Sequence, residues 1–291
     1  MRYLAAIHIF TRLALVLAVL GAPGCAASAG NTGLARQPWT VADLEVADLA
    51  PKDLFTLRPA KPQARSVMVV GDSLSISLGE QLERLLPQDQ GLAFARLGKV
   101  SSGLARPEFF DWEQHMAAMA RRCKPDVALV MLGTNDNKQL KARDGSIVAF
   151  GTKEWDREYA AKAQRLIDIC RAQSPGAAVF WIGAPVMADA TLSRDLRHIN
   201  AVLVSVVKGN RGCHFVDTWA VFSDKSGNFV RCKPDVQGGS ALRAGDGVHL
   251  TLAGAQALAQ WCLSAMAGQV NFAAIAPSGP AALAAGLNEK S

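Results

Sequence analysis

Several features that would place a protein in a common functional class are missing from this sequence. Charged residues are only 19% and hydrophobic residues 50% of its 291, so the chain is too apolar to be disordered as a whole. Its 13 prolines and 25 glycines follow no triplet period, which excludes a collagen-like chain. There is no Lys/Arg-rich run. The nearest, Arg121, Arg122 and Lys124 around Cys123, reads as cations at the negative pole of a helix end, and so scattered a net charge of +6 argues against a nucleic-acid partner. The 6 cysteines include no C-x-x-C, and no H-x-H, D-x-H or H-E-x-x-H occurs, so neither a metal nor another cofactor is expected. Gly-x-Ser-x-Gly is also absent: Gly71-Asp72-Ser73-Leu74-Ser75 breaks it at the last position, which disfavours the α/β-hydrolase nucleophile elbow.

What is present begins with an export signal. Arg2 and Arg12 precede the apolar stretch Leu13 to Leu20, and a small-residue segment follows to Ala29, the order of a secretory signal. Two processing readings stand side by side. Ala27-Ser28-Ala29 fits cleavage after Ala29, whereas Ala22-Pro23-Gly24-Cys25 resembles a lipoprotein signal in which a lipid on Cys25 would attach the protein to the membrane. Arg2 and Arg12 are two of the 31 basic residues, so what remains after residue 29 carries only +4. In an oxidising compartment Cys123, Cys170, Cys213, Cys232 and Cys262 are candidates for one or two disulfides, with one thiol left over.

Residues 30–65, punctuated by Pro38, Pro51, Pro59 and Pro62, read as a linker or surface wrap. Regular structure is expected from residue 66 to 268. Short apolar runs (66–70, 92–97, 127–132, 178–182, 214–217) alternate with helical periodicity (74–86, 111–122, 153–172, 192–208, 251–266). Nearly continuous apolar strands alternating with helices predict an α/β three-layer sandwich with a central parallel sheet. Composition predicts a disordered tail over 269–291.

In such sheets the working groups gather beyond the carboxyl ends of the strands. Three of those ends are informative. The first places Ser73 at the start of a helix, after Gly71-Asp72; a simple cap is the alternative. The third reads Gly133-Thr134-Asn135-Asp136, where the Asn135 amide could face an oxyanion, against the alternative of an ordinary turn. The loop before the last helix reads Asp246-Gly247-Val248-His249, with a carboxylate three residues from an imidazole. Of the 5 histidines, His8 lies in the signal, His115 and His198 fall in helices and His214 opens a strand, so His249 is the loop histidine with an acid at close spacing.

Together these motifs resemble the SGNH, or GDSL, hydrolase superfamily in order and approximate spacing over residues 66–268: Gly71-Asp72-Ser73-Leu74 matches its first block, Gly133-Thr134-Asn135-Asp136 its third, Asp246-Gly247-Val248-His249 its fifth. Gly103-Leu104-Ala105-Arg106-Pro107, Trp112, Trp155 and Leu242-Arg243 look like the exported bacterial branch known as domain of unknown function 459. The resemblance implies an SGNH-hydrolase, flavodoxin-like architecture and acyl transfer to Ser73, with His249 as general base, Asp246 orienting it, and Ser73 N–H, Gly103 N–H and Asn135 as the oxyanion hole. Gly98 is the alternative to Gly103, and Asp72 and Asp136 are read as structural ties between loops. Arg106 and Arg243 are candidates for binding a substrate anion or a sugar hydroxyl, against the reading of surface or ion-paired arginines. Trp112 and Trp155 are read as core aromatics rather than sugar platforms. The expected function is an exported esterase of short acyl groups, O-acetyl on envelope glycans, in the periplasm or attached to the envelope. An O-acetyltransferase, a lipase or thioesterase, and a non-catalytic binding protein remain as alternatives.

Overall fold

In the computed structural model, which describes residues 54–58, 66–86, 92–267 and 269–270, strands and helices alternate along the chain. They are Leu54–Arg58 (β1), Ser66–Gly71 (β2), Ser73–Leu85 (α1), Ala93–Gly98 (β3), Trp112–Cys123 (α2), Val127–Met131 (β4), Leu140–Lys141 (β5), Ile147–Val148 (β6), Lys153–Gln173 (α3), Ala178–Ile182 (β7), Ala190–Lys208 (α4), Cys213–Val216 (β8), Trp219–Phe222 (α5) and Leu252–Ala267 (α6). The expected signal peptide, its cleavage sites at Ala29 and Cys25, and the tail beyond 270 lie outside the described residues.

The main sheet has the order β1-β3-β2-β4-β7-β8. The five strands from β3 to β8 run parallel, in the doubly wound order of a flavodoxin-like sheet, which bears out the expected class. β2 is buried at all 6 of its residues and β4 at all 5, because helices cover both faces: α1 packs against α6 on one side, α2 and α4 against α3 on the other. Carboxylate or hydroxyl caps start the helices around the sheet. Asp72, Asp111, Thr152 and Asp189 each accept a backbone N–H from the first turn of α1, α2, α3 and α4.

Besides the one-turn helix α5, two features were not expected from the sequence. Within the segment read as a linker or wrap, β1 pairs antiparallel with β3 at the sheet edge. Beyond Asn135, β5 and β6 form a short hairpin. The hairpin strands, of 2 residues each, are too short to show a period, and β1 lies in the Pro-punctuated stretch that masks it.

The core on the α1 side includes Leu78, which is 0% exposed. Leu78→Ala is expected to cost about 3 kcal/mol, from lost burial plus the cavity left behind. Urea unfolding checks this: the midpoint should fall with the slope unchanged.

Candidate active site

Gly71, the last residue of β2, pairs with Gly98 on one side and Met131 on the other. The loops after β2, β3 and β4 therefore leave the sheet side by side. Asp72 is wedged among them: its N–H donates to Met131 O at 3.0 Å, and its carboxylate accepts Leu74 N–H at 3.0 Å and Thr134 N–H at 3.3 Å. Ser73 follows as the first residue of α1, so its own N–H has no partner within the helix.

The loop from 243 to 251 meets Ser73 from the far end of the chain. Gly247 turns it at φ +69°, and a Cβ there would lie 2.3 Å from Ala188 Cβ, so only glycine fits. Asp246 Oδ1 accepts Val248 N–H at 2.8 Å and His249 N–H at 2.9 Å. The other oxygen, Oδ2, lies 2.7 Å from His249 Nδ1, and His249 Nε2 lies 3.2 Å from Ser73 Oγ. Serine, imidazole and carboxylate thus form one continuous chain. The Asp246 and His249 side chains are each 49% exposed, so solvent reaches the site. The hydrogen bond from His249, with the Val248 and His249 amides, holds the Asp246 carboxyl well below the usual carboxylate range.

A second set of donors lies on the loops after β3 and β4. Asp136, 1% exposed, accepts Leu104 N–H at 3.0 Å, Ala105 N–H at 2.9 Å and the Tyr159 hydroxyl at 2.8 Å. Its carboxylate sits so close that a Cβ on Gly103 would be 2.0 Å from Oδ1. Gly103 must be glycine for this reason, and its N–H has no partner among the described residues. Gly98 has another job: a Cβ there would lie 2.3 Å from Ile76 Cγ1, so it allows α1 to pack on β3. Asn135 Nδ2 donates to Ser102 O at 2.9 Å, which ties the β4 loop to the Gly103 loop and leaves a second amide N–H available. The stretch from Lys99 to Ala105 is largely buried, with Lys99 7% and Ser102 1% exposed.

One expected site residue is corrected. Arg243 is 0% exposed and cannot touch a substrate; its Nη2 donates to Val248 O beneath the histidine loop. Arg106 is partly exposed, with Nη2 donating to Ser101 O at 3.0 Å and the guanidinium 5.2 Å from the centre of the Phe109 ring. Trp112 and Trp155 are core aromatics, their indole N–H groups donating to Ser102 Oγ and Lys138 O. The five described cysteines are free thiols here, and burial pushes Cys123 and Cys170 up to about 12. Of the two histidines expected in helices, His115 Nδ1 lies 2.7 Å from Asp111 O and His198 pairs with Asp156 at 2.6 Å, both apart from Ser73's chain of contacts.

A protein-family model described as "Protein of unknown function (DUF459)" matches residues 66–265. None of the curated proteins matches. Among solved structures the chain is similar to a family two carbohydrate esterase from Clostridium thermocellum in complex with cellohexaose, with 15% identity and a TM-score of 0.51, covering 74% of this chain and 67% of that one. It is similar also to a carbohydrate esterase family 3 from Talaromyces cellulolyticus, with 16% identity and a TM-score of 0.47, covering 70% and 97%. A lipase/acylhydrolase from Enterococcus faecalis aligns at 15% identity and a TM-score of 0.46, covering 70% and 96%. At 15% identity the likeness to the family two carbohydrate esterase is one of fold.

Two predictions follow from the buried carboxylates. Asp136→Ala strands two amides and a hydroxyl without acceptors, and at about 1 kcal/mol or more for each the loss should reach roughly 3 kcal/mol, against about 1 for Tyr159→Phe, both read by urea unfolding. Burial pushes the Asp72 carboxyl up to about 7 from an ordinary 3.8. The folded state therefore holds a proton that the unfolded chain has lost, and its stability should fall as pH rises from about 4 to about 7. Asp72→Asn should flatten that decline in unfolding midpoints measured across the window.

Proposed function

We propose that this chain, which belongs to the DUF459 family, is an esterase working through an acyl-enzyme on Ser73. The observation that carries the proposal is the unbroken path from Ser73 Oγ to His249 Nε2 at 3.2 Å and from His249 Nδ1 to Asp246 Oδ2 at 2.7 Å. His249 takes the Ser73 hydroxyl proton as Oγ bonds to the ester carbonyl carbon, and Asp246, ionised throughout, stabilises the imidazolium. Negative charge then develops on the former carbonyl oxygen. The N–H groups of Ser73 and Gly103 and the spare Asn135 N–H are the donors for it; removing one such donor typically costs about 3 kcal/mol of transition-state stabilisation. His249 returns the proton to the leaving alcohol, and water, activated by the same imidazole, frees the acid and restores Ser73.

The half-exposed imidazole and carboxylate support hydrolysis over transfer, because a transferase has to keep water away from its acyl-enzyme. Among esters we favour short acyl groups, O-acetyl on envelope glycans. An N-terminal export signal would deliver the enzyme to the compartment where such glycans are abundant, with Cys25 as the lipid attachment point if the lipoprotein reading is the one used. Arg106, partly exposed and three residues after Gly103 in the chain, is our candidate cation for a substrate oxygen. The fold it shares with a carbohydrate esterase is consistent with this substrate class.

Turnover of p-nitrophenyl esters of increasing chain length tests the proposal. Acetyl should be preferred, and Ser73→Ala should lower kcat by about three orders of magnitude or more with the fold intact. Unchanged acetyl-ester hydrolysis in that variant would refute the mechanism. Acetate release measured against transfer to an added sugar separates hydrolase from transferase.

A further inference from the structure

Arg243 presents a physical puzzle. A guanidinium with 0% exposure has five N–H donors to satisfy, yet its Nε and Nη1 have no hydrogen-bond partner among the described residues. The rings of Phe222 and Phe229, with centres 5.1 and 5.7 Å from Cζ, and the Met187 sulfur offset part of the cost. Desolvation lowers its pKa to about 10, so it remains a cation at neutral pH, and the Asp246 carboxylate favours that charge. An apolar side chain of similar volume would fill this site with less penalty. The charge must therefore serve something other than packing.

Its hydrogen bonds show what. Nη2 donates to Val248 O at 2.6 Å and, more weakly, to Gly247 O at 3.4 Å. These are the carbonyls of two successive trans peptide groups, and in a trans peptide the N–H points opposite to the C=O. The N–H partners of those same two groups belong to Val248 and His249, and both donate to Asp246 Oδ1, at 2.8 and 2.9 Å. Arg243 and Asp246 thus face each other across two peptide units, cation on the carbonyl side and carboxylate on the amide side. A charge at each end polarises the intervening peptides in the same sense, strengthening both sets of hydrogen bonds.

We propose that Arg243 is a positioning residue for the Asp246–His249 pair, anchoring Asp246 Oδ1 through two polarised peptide groups so that Oδ2 is the oxygen presented to His249 Nδ1. The inference rests on reading Ser73, His249 and Asp246 as the catalytic set. It explains why an incompletely satisfied cation is kept in the core below a half-exposed site.

Arg243→Met is the main variant, with Arg243→Lys, which keeps the charge on a single nitrogen, for the case in which the first does not fold. Arg243→Met is expected to unfold at the same or a higher urea concentration than the wild type. Its kcat for p-nitrophenyl acetate should nevertheless drop by on the order of 10²-fold with KM little changed, since a loosened base is a misplaced base. Arg243→Lys should lose less, with the fold retained. In an Asp246→Ala background, which removes the anchored oxygen, neither substitution should cost anything further. In the resting protein the far-downfield proton resonance of His249 Nδ1–H, held by Asp246, should broaden or shift in the Arg243 variants. Wild-type kcat and an unmoved resonance, or an equal loss with and without Asp246, would overturn the proposal in favour of a purely structural arginine. The resonance needs no turnover, so it stays decisive if Ser73→Ala shows the esterase reading itself to be wrong.

Discussion

Parallel strands hydrogen-bonded in register must end at the same level, and the rest of this site follows from that constraint. With Gly71 opposite both Gly98 and Met131, the chain leaves β2, β3 and β4 within a few residues' reach of one another. Short side chains can then bridge the loops. Asp72 reaches from the β2 loop to Thr134, Asn135 from the β4 loop to Ser102, and Asp136 from the same loop to Leu104 and Ala105. A slip of one residue in either ladder would move the bridges between the strands it displaces by more than a hydrogen-bond length.

Three aspartates share one local task and differ in their surroundings. Asp72, Asp136 and Asp246 each accept two backbone N–H groups. Burial raises the pKa of the first two, while the hydrogen bond from His249 and the loop amides lower that of the exposed Asp246. Environment thus separates carboxyls that are chemically identical. The two in the core hold the loops that carry Ser73 and Gly103 in place, and the ionised one at the surface is left to face the imidazole. Buried Arg243 lies on the far side of that surface loop, so charge is placed both above and below its peptide groups.

The strand and helix ends read from periodicity fall within a residue or two of those observed, because long apolar strands and amphipathic helices carry their signal in every turn. β1 and the β5–β6 hairpin carry no such signal: their pairing is decided by the β3 edge and by a partner several residues away. Among the site residues, Ser73, Asp246 and His249 were legible because their spacing to glycines and strand ends marks them. Arg243 was not read correctly. Its neighbours in sequence are those of an exposed loop, and nothing local tells that Phe222, Phe229 and Met187 close over it.

The amino-acid order alone therefore determined the layered α/β class, the loops where chemistry could occur and the candidate groups they carry, since these depend on period, on turn-forming residues and on functional-group type. Tertiary structure alone decided which glycine offers a free amide, which carboxylates are buried and which arginine is sealed in the core. Those properties belong to distances between segments as far apart as Ser73 and His249, and burial and proximity across such separations come into being only when the chain packs.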